Sequence, residues 1–540
     1  MKQKKQHIKS ERGAVIKNHK NRLKVALIYP NTYQIGMSNL GFQTVYKMIN
    51  NFDHILCERV FLCKNRTIES GRKISNFDII AFSVSFETDY PNIYKILTEA
   101  EIPAFAKKRE DNFPLIIAGG VACLLNPESI APFIDAFLIG EAEELIPDFF
   151  KKIDRIGRLK SNLAWLARNI KGFYVPKFYS FAYNSKGEIY KRETIADIPE
   201  TIERVFAKNL ALQEPAQTSV LTPNTTFANT YLIEAERGCP YKCRFCAIGY
   251  IYGQPRYIRP DILKKTIKKA SEWTRNIGLI GANISDIPSI NKICEYTAAN
   301  NIRLSFSSLR ANSLTDRLAE ALVTNLVKTA TIAPDAGSER MRKIISKKLT
   351  EQDILNAAEL LVKKGIPNLR LYFMIGLPFE TDEDTDEIIK LSAKIKKVFL
   401  EASRKQKKIG KIAISLNPFV PKPFTPFQWT NQDGINNLKK KKNYIIKSLE
   451  SMPNVVVRAE SPKNSYIQTI LSNGDRKVAN IIELAYKNAG NWTKTLKQTK
   501  DITEYYTDKK KSEEQIFPWD FIDHKIKKDK LFKEYKKSAA

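Results

Sequence analysis

The chain has 540 residues, 43% of them hydrophobic, enough for two or three domains with substantial cores. Its 88 Lys and Arg against 58 Asp and Glu give a formal charge of +30, which favours anionic partners such as RNA in a salt-dependent way; runs such as 439–442 and 509–511 read equally as solvated faces. No apolar run reaches membrane-spanning length, the basic start MKQKKQHIKS lacks a signal-peptide apolar segment, and seven cysteines fit a reducing cytoplasm better than a disulfide framework, so a cytoplasmic protein with no membrane partner is expected.

After a basic lead over 1–22, KVALIYP at 24–30 reads as a buried strand of the parallel type, and the loop 31–41 (NTYQIGMSNLG) opens a helix through Val45 and Tyr46. The apolar segment 54–62 with Cys57, FDIIAFSVS at 77–85, a helix from about Asn92, PLIIAGG at 114–120 and AFLIG at 136–140 continue the alternation. This pattern, with glycines at strand ends, predicts an open, Rossmann-like parallel α/β sheet over 23–155. Ligands of such sheets bind at the carboxyl ends of the strands. Gly36 and Gly41 have P-loop spacing, but Phe42-Gln43 replaces the Lys-Ser/Thr pair, and no G-x-G-x-x-G follows the first strand. Cys57, Cys63 and Cys123 read as buried structural thiols rather than ligands of a second cluster. Over 156–228 the pattern changes to a hairpin around Asn184–Gly187 and then a Pro-, Thr- and Asn-containing connector.

The stretch 231–250, YLIEAERGCPYKCRFCAIGY, carries Cys239, Cys243 and Cys246 in a C-x3-C-x2-C spacing on a loop after a short strand. Three thiolates can hold three irons of a cubane and leave the fourth open. A structural zinc needs a fourth ligand, and none of the four histidines lies near this loop. With Phe245 just before the last cysteine, the motif resembles the radical S-adenosylmethionine (radical SAM) superfamily. The resemblance implies a 4Fe-4S cluster on the three cysteines, S-adenosylmethionine on the open iron, a flavodoxin- or ferredoxin-type electron donor, and a 5′-deoxyadenosyl radical that abstracts hydrogen from a substrate.

Strands and helices alternate from 229 to about 430, and the resemblance implies a partial (β/α)6 TIM-like barrel with its site at the carboxyl strand ends. It further implies that Gly281, Ala282 and Asp286 meet the methionine amino group, in place of an intact Gly-Gly-Glu. Asp335, where Glu is usual, and Ser338 fall in the segment for the ribose and carboxylate, Ser338 being equally a helix N-cap. Gly376 falls beside the adenine, and Phe245 is a further cofactor contact. The loop NPFVPKPFTPFQW (417–429) either closes the barrel mouth or plugs its end, and a small, basic, α-rich extension follows over 431–540.

The N-terminal sheet resembles the cobalamin-binding-type domain that precedes many such cores, with SVS at 83–85 and AGG at 118–120 where those domains contact the corrin and nucleotide tail. The usual D-x-H-x-x-G loop is absent and 31–36 contains no His, so cobalamin without a histidine ligand and a vestigial or substrate-binding module both stay open. The opening PNTYQIGMSNLGFQ and the tail resemble an uncharacterised radical SAM group from about residue 23 to 500. Two other readings stand beside a radical SAM enzyme of unknown substrate: an RNA-modifying enzyme acting by methyl or methylthio transfer, and a non-catalytic iron–sulfur binding or sensor protein.

Overall fold

The structure, a computed structural model, describes residues 8–62, 64–154, 159–195, 197–406 and 409–539. Cys63 and the first part of the basic lead lie outside them.

Five strands, β1 (Leu23–Tyr29), β2 (Ile55–Phe61), β3 (Ile79–Ser83), β4 (Leu115–Gly119) and β5 (Ala136–Leu138), pair in parallel in the order β2-β1-β3-β4-β5. All seven residues of β2 are buried, as expected of a parallel strand covered on both faces. The sheet continues past residue 155, where β6 (Phe173–Tyr174) pairs antiparallel to β5. A two-residue edge strand has no periodicity to announce it. The expected hairpin forms from β7 (Tyr179–Tyr183) and β8 (Ile189–Thr194).

Part of the basic lead is structural. Arg59, on the fully buried strand β2, is neutralised by Glu69 and by Glu11 of the lead, each at 2.7 Å. Lys17 donates to the carbonyls of Asn50, Phe52 and Ile55, closing the end of the helix Leu40–Asn50. Arg12 pairs with Leu221 in an isolated antiparallel bridge, so the lead also ties down the connector.

The core contains seven parallel strands in two ladders. The first is β9 (Tyr231–Glu234), β10 (Asn276–Ile280) and β11 (Arg303–Phe306); the second is β12 (Thr329–Asp335), β13 (Asn368–Ile375), β14 (Ile412–Pro418) and β15 (Val455–Ala459). One continuous six-stranded ladder was expected; among the described residues β11 and β12 do not pair, and β15, read as part of the extension, joins the second sheet. In β13 the alternate residues Leu369, Leu371, Phe373 and Ile375 are buried in the apolar core shared with the helices Glu351–Lys363 and Asp382–Lys405. The acidic start of the latter is a capping box between Thr381 and Asp384, as a helix N-terminus favours.

The C-terminal extension is not a separate appendage. Helix Val478–Lys487 packs on helix Tyr90–Glu99 of the first domain, with Tyr94 and Tyr486 rings 5.3 Å apart. The Asn126 side-chain amide donates to the carbonyls of Ser472 and Gly474 at 3.0 and 2.7 Å. Ile522–Asp523 forms a two-residue parallel pair with Ile202–Glu203. The aromatics of 417–429 are spent on this packing: Trp429 is fully buried among Phe517, Phe532 and Tyr535, and Gln428 accepts from the Trp519 indole. They plug rather than line.

His524 joins the same seam, its Nε2 bonded to the Leu124 carbonyl at 2.8 Å and its ring 4.3 Å from Phe424. Burial, and then the charge of Arg204, push its pKa down from 6.5 to about 3. The folded chain therefore keeps a neutral imidazole where the unfolded chain takes a proton. Its stability contribution is complete above pH 6.5 and is lost as pH falls from there toward 3. Urea titrations should show wild type losing about 1.4 kcal/mol more per pH unit than His524→Gln between pH 6 and 4. Parallel slopes in the two proteins would contradict the neutral buried imidazole.

Candidate functional site

The cysteine loop leaves β9 through the short strand Glu236–Arg237, which pairs antiparallel with Arg256–Tyr257 and so closes the base of the loop. Gly238 has φ +104, and a Cβ there would lie 2.7 Å from the Gln254 carbonyl oxygen, so the crossing requires glycine. Cys239 N–H donates to the Gly253 carbonyl and Cys246 N–H to that of Cys243. Arg244 anchors the loop to the helix Glu339–Ile344, its N–H on Ile345 and its guanidinium on Ile344 at 2.6 Å. Phe245 packs inward against the apolar core.

All three thiols are free, and they sit close enough to influence one another. Burial pushes each pKa up, that of Cys243 to about 12. Lys347 and Arg310 oppose the rise at Cys243, as do the backbone N–H groups of Ile248 and Gly249 at Cys246 and of Tyr241 at Cys239. Cys57, Cys123 and Cys294 lie buried elsewhere, in β2 and in two helices.

Charged side chains ring the loop. Lys347 pairs with Asp335 at 2.5 Å, and Asp335 itself takes a left-handed φ of +64 at an irregularity in β12. Arg310 lies 3.6 Å over the Tyr241 ring and donates to the carbonyls of Lys347 and Lys348. Tyr241 donates to Asp286 at 2.7 Å. Glu236 is buried beside Asp286, and burial together with that second carboxylate pushes its pKa up to about 8. Lys347 and Glu236 gave no motif in the chain: their partners lie 12 and 50 residues away.

Gly281 and Ala282 follow β10, as expected, and their carbonyls accept hydrogen bonds from Ser307 and Ser308 at the end of β11. Ser338 caps its helix by accepting from Met341 N–H and also donates to Asp384 at 2.6 Å. Gly376 has φ +73, and the space a Cβ would take is occupied by Leu438 and Asp433. On that side the glycine packs against helix Ile435–Glu450. Lys441 on this helix is buried between Glu380 and Asp433, at 2.8 and 3.1 Å, so the basic run 439–442 is not one exposed patch.

A cavity of about 480 Å³ opens between the carboxyl ends of β3 and β4, the helix Leu40–Asn50 and strand β9. Val25 and Ile49 lie in its depth, Ser85 and Gly120 at the strand ends, Glu234 and Arg237 on the core side. Gly120, at φ +107, crosses Val84 so closely that a Cβ would meet the Val84 carbonyl oxygen at 2.4 Å, which brings SVS and AGG together.

Residues 41–176 match the family of radical SAM proteins' N-terminal regions, and residues 233–392 match the radical SAM superfamily. The chain is 31% identical over 483 residues to an uncharacterized protein of Methanocaldococcus jannaschii, covering 89% of this chain and 95% of that one. It belongs to the radical SAM superfamily. A tRNA-2-methylthio-N(6)-dimethylallyladenosine synthase of Bacillus cytotoxicus is 30% identical over 168 residues, 28% of this chain and a 33% share of that protein. The radical SAM methyltransferase TsrM of Kitasatospora setae, solved with cobalamin and a 4Fe-4S cluster, shares the fold with a TM-score of 0.53 at 11% identity, over 87% of this chain and 100% of that one.

Membership makes the chain a radical SAM enzyme, with a 4Fe-4S cluster and S-adenosylmethionine as cofactors and a requirement for a reductant. The donor set fits. Among the described residues no three His, Cys, Asp or Glu converge as on a single metal ion. A cubane instead offers a separate iron to each thiolate, and hydrogen bonds to the sulfurs tune it. No described helix is long and apolar enough to cross a membrane.

Arg310 holds this ring together as a planar fork over an aromatic face, a role that Lys cannot fill. Arg310→Lys should cost about 1.5–3 kcal/mol in urea denaturation, the range for hydrogen bonds to a charged group. Arg303→Lys, on the exposed side of β11 seven residues earlier, should cost far less. Equal losses would deny Arg310 its anchoring role.

Proposed function

We propose that Cys239, Cys243 and Cys246 each ligate one iron of a 4Fe-4S cluster, and that S-adenosylmethionine binds the fourth and is cleaved reductively. The observation that carries this reading is the set of three free thiols at the carboxyl end of β9, Cys243 buried and Cys239 and Cys246 half-buried, with backbone donors to two of the sulfurs and no disulfide among the described residues. When bound, these cofactors supply one electron and a 5′-deoxyadenosyl radical for hydrogen abstraction. The protein's part is positional. Arg244 and Arg310 fix the loop, Lys347 and Asp335 set the charge beside Cys243, and the residues after β10 offer polar groups to the methionine end. On this reading the two core sheets are parts of one partial barrel, with the loop at its carboxyl end. The units are a Rossmann-like domain at 23–155, a connector at 156–228, the core at 229–430 and the extension at 431–540.

The cavity of the N-terminal sheet suits cobalamin. It lies at the carboxyl strand ends beside the β1/β3 switch in the order β2-β1-β3-β4-β5, where open sheets take ligands. Its depth is apolar, its mouth carries Ser85 and Gly120, and it borders the core next to Arg237. Support comes also from the cobalamin reported with TsrM. Among the described residues no histidine is free for cobalt: His19, His54 and His524 are engaged with Glu58, Asp154 and Leu124. The similarity to the tRNA synthase supports shared radical chemistry. RNA as substrate gains little from the run 439–442, since Lys441 is a buried structural cation.

Anaerobically reconstituted, dithionite-reduced protein should convert S-adenosylmethionine to 5′-deoxyadenosine and methionine, read by chromatography. Cys243→Ala should lose both the iron and the product; a variant that retained four irons per chain would overturn the ligand assignment. For cobalamin, the wild-type protein should retain it through gel filtration, whereas Val45→Trp, which fills the cavity from its helix, should not. Retention by both would place the corrinoid elsewhere.

A further inference from the structure

Glu236 lies three residues before Cys239 and is 3% exposed, yet neither of its carboxylate oxygens has a hydrogen-bond partner. A carboxylate buried in this way is costly unless a cation or donors meet it. Nothing nearby in the chain does so. The closest favourable group is the backbone N–H of Asn283, whose own side-chain amide nitrogen is also buried without a partner. Asp286 adds a second negative charge, and it already accepts from Tyr241. The guanidinium of Arg310 is committed to Asn312 and to the carbonyls of Lys347 and Lys348. Two carboxylates therefore face each other beside the cysteine loop with no cation between them.

Glu236 and Ile284 pack directly against the Gly281 backbone, Ile284 so closely that a Cβ there would stand 2.8 Å from its Cδ1. A Cβ on that glycine would stand 3.0 Å from the Glu236 Cβ and 3.5 Å from its Oε2. The groups around the Glu236 carboxyl are the end of β10, Asp286 and Cys239, so a ligand's positively polarised N–H group suits it and an anion does not.

We infer that Glu236, rather than Asp286, accepts the hydrogen bond of the methionine amino group of S-adenosylmethionine. This rests on the proposed binding of that cofactor at the open iron. An amino nitrogen on iron keeps N–H bonds to donate, and Glu236 is the acceptor left without any other partner. Glu236 reaches the site from the short strand after the first core strand, whereas the sequence pattern placed the acid after the second.

The test is equilibrium binding to the cluster-loaded protein, with iron content measured in parallel. S-adenosylmethionine is compared with 5′-methylthioadenosine, which keeps the nucleoside and thioether but has no amino acid portion. Glu236→Gln should bind S-adenosylmethionine about ten- to hundredfold more weakly, the loss of a charge-assisted hydrogen bond, with 5′-methylthioadenosine unchanged. Asp286→Asn should change both by less than threefold. Gly281→Ala, whose Cβ would press on Ile284 and displace the Glu236 side chain, should weaken S-adenosylmethionine selectively and decides the matter if Glu236→Gln does not fold. Unchanged affinity in Glu236→Gln or Gly281→Ala with full iron content overturns the inference. Failure of wild type with full iron to bind S-adenosylmethionine overturns the underlying reading instead.

Discussion

One carboxylate holds the two halves of this protein in register. Glu141, directly after β5, is buried and receives Arg204 from the connector, Arg237 from the base of the cysteine loop and Arg256 from the strand that closes it. It also accepts the Ala207 N–H. Burial pushes its pKa up, but Arg256 and Arg237 outweigh this and hold the group ionised. Removing one partner of such a buried pair typically costs about 3–5 kcal/mol, because the charges left behind stay buried. Here the partners come from three segments, so the loss would fall on the domain seam. Arg237 lies two residues before Cys239, and the seam and the cluster loop therefore share a foundation.

That shared foundation explains the position of the cavity. The carboxyl ends of β3 and β4 face the core side of β9, and the cavity between them is lined from both domains. The extension completes the clamp from behind, through helix Val478–Lys487 and the pair Ile522–Asp523 with Ile202–Glu203. A bound molecule in the cavity would touch Arg237 or Glu234, and so would sit against the residues that carry the loop.

The legible parts of the chain were those whose physics is local. Apolar runs such as 24–30 and 115–119 announce parallel strands, the spacing of Cys239, Cys243 and Cys246 announces its chemistry, and Asn184 with Gly187 announces a hairpin. What stayed hidden depends on partners far apart in the chain. Glu11 looks like part of a basic tail until it meets Arg59, and Lys441 looks like one of four solvated lysines until it meets Glu380. Strand β15 reads as the edge of an extension because only pairing with β14 makes it part of the core. Gly376 also has a packing role that its motif does not announce, since the helix against its Cβ side begins 59 residues later.

The charge distribution at the site follows one rule. Every ionised group around the cysteine loop that the fold itself uses has a partner within the chain: Lys347 with Asp335, Arg244 with Ile344 and Glu534, Asp286 with Tyr241. Structural charges are paired because burial makes an unpaired one costly. The groups left over are three thiols whose protons burial holds in place, and one carboxylate beside them. A thiol raised in this way becomes a thiolate when a metal takes the proton's place, since coordination deprotonates it outright. These leftover groups, able to meet a partner that is not an amino acid, lie together at one end of β9.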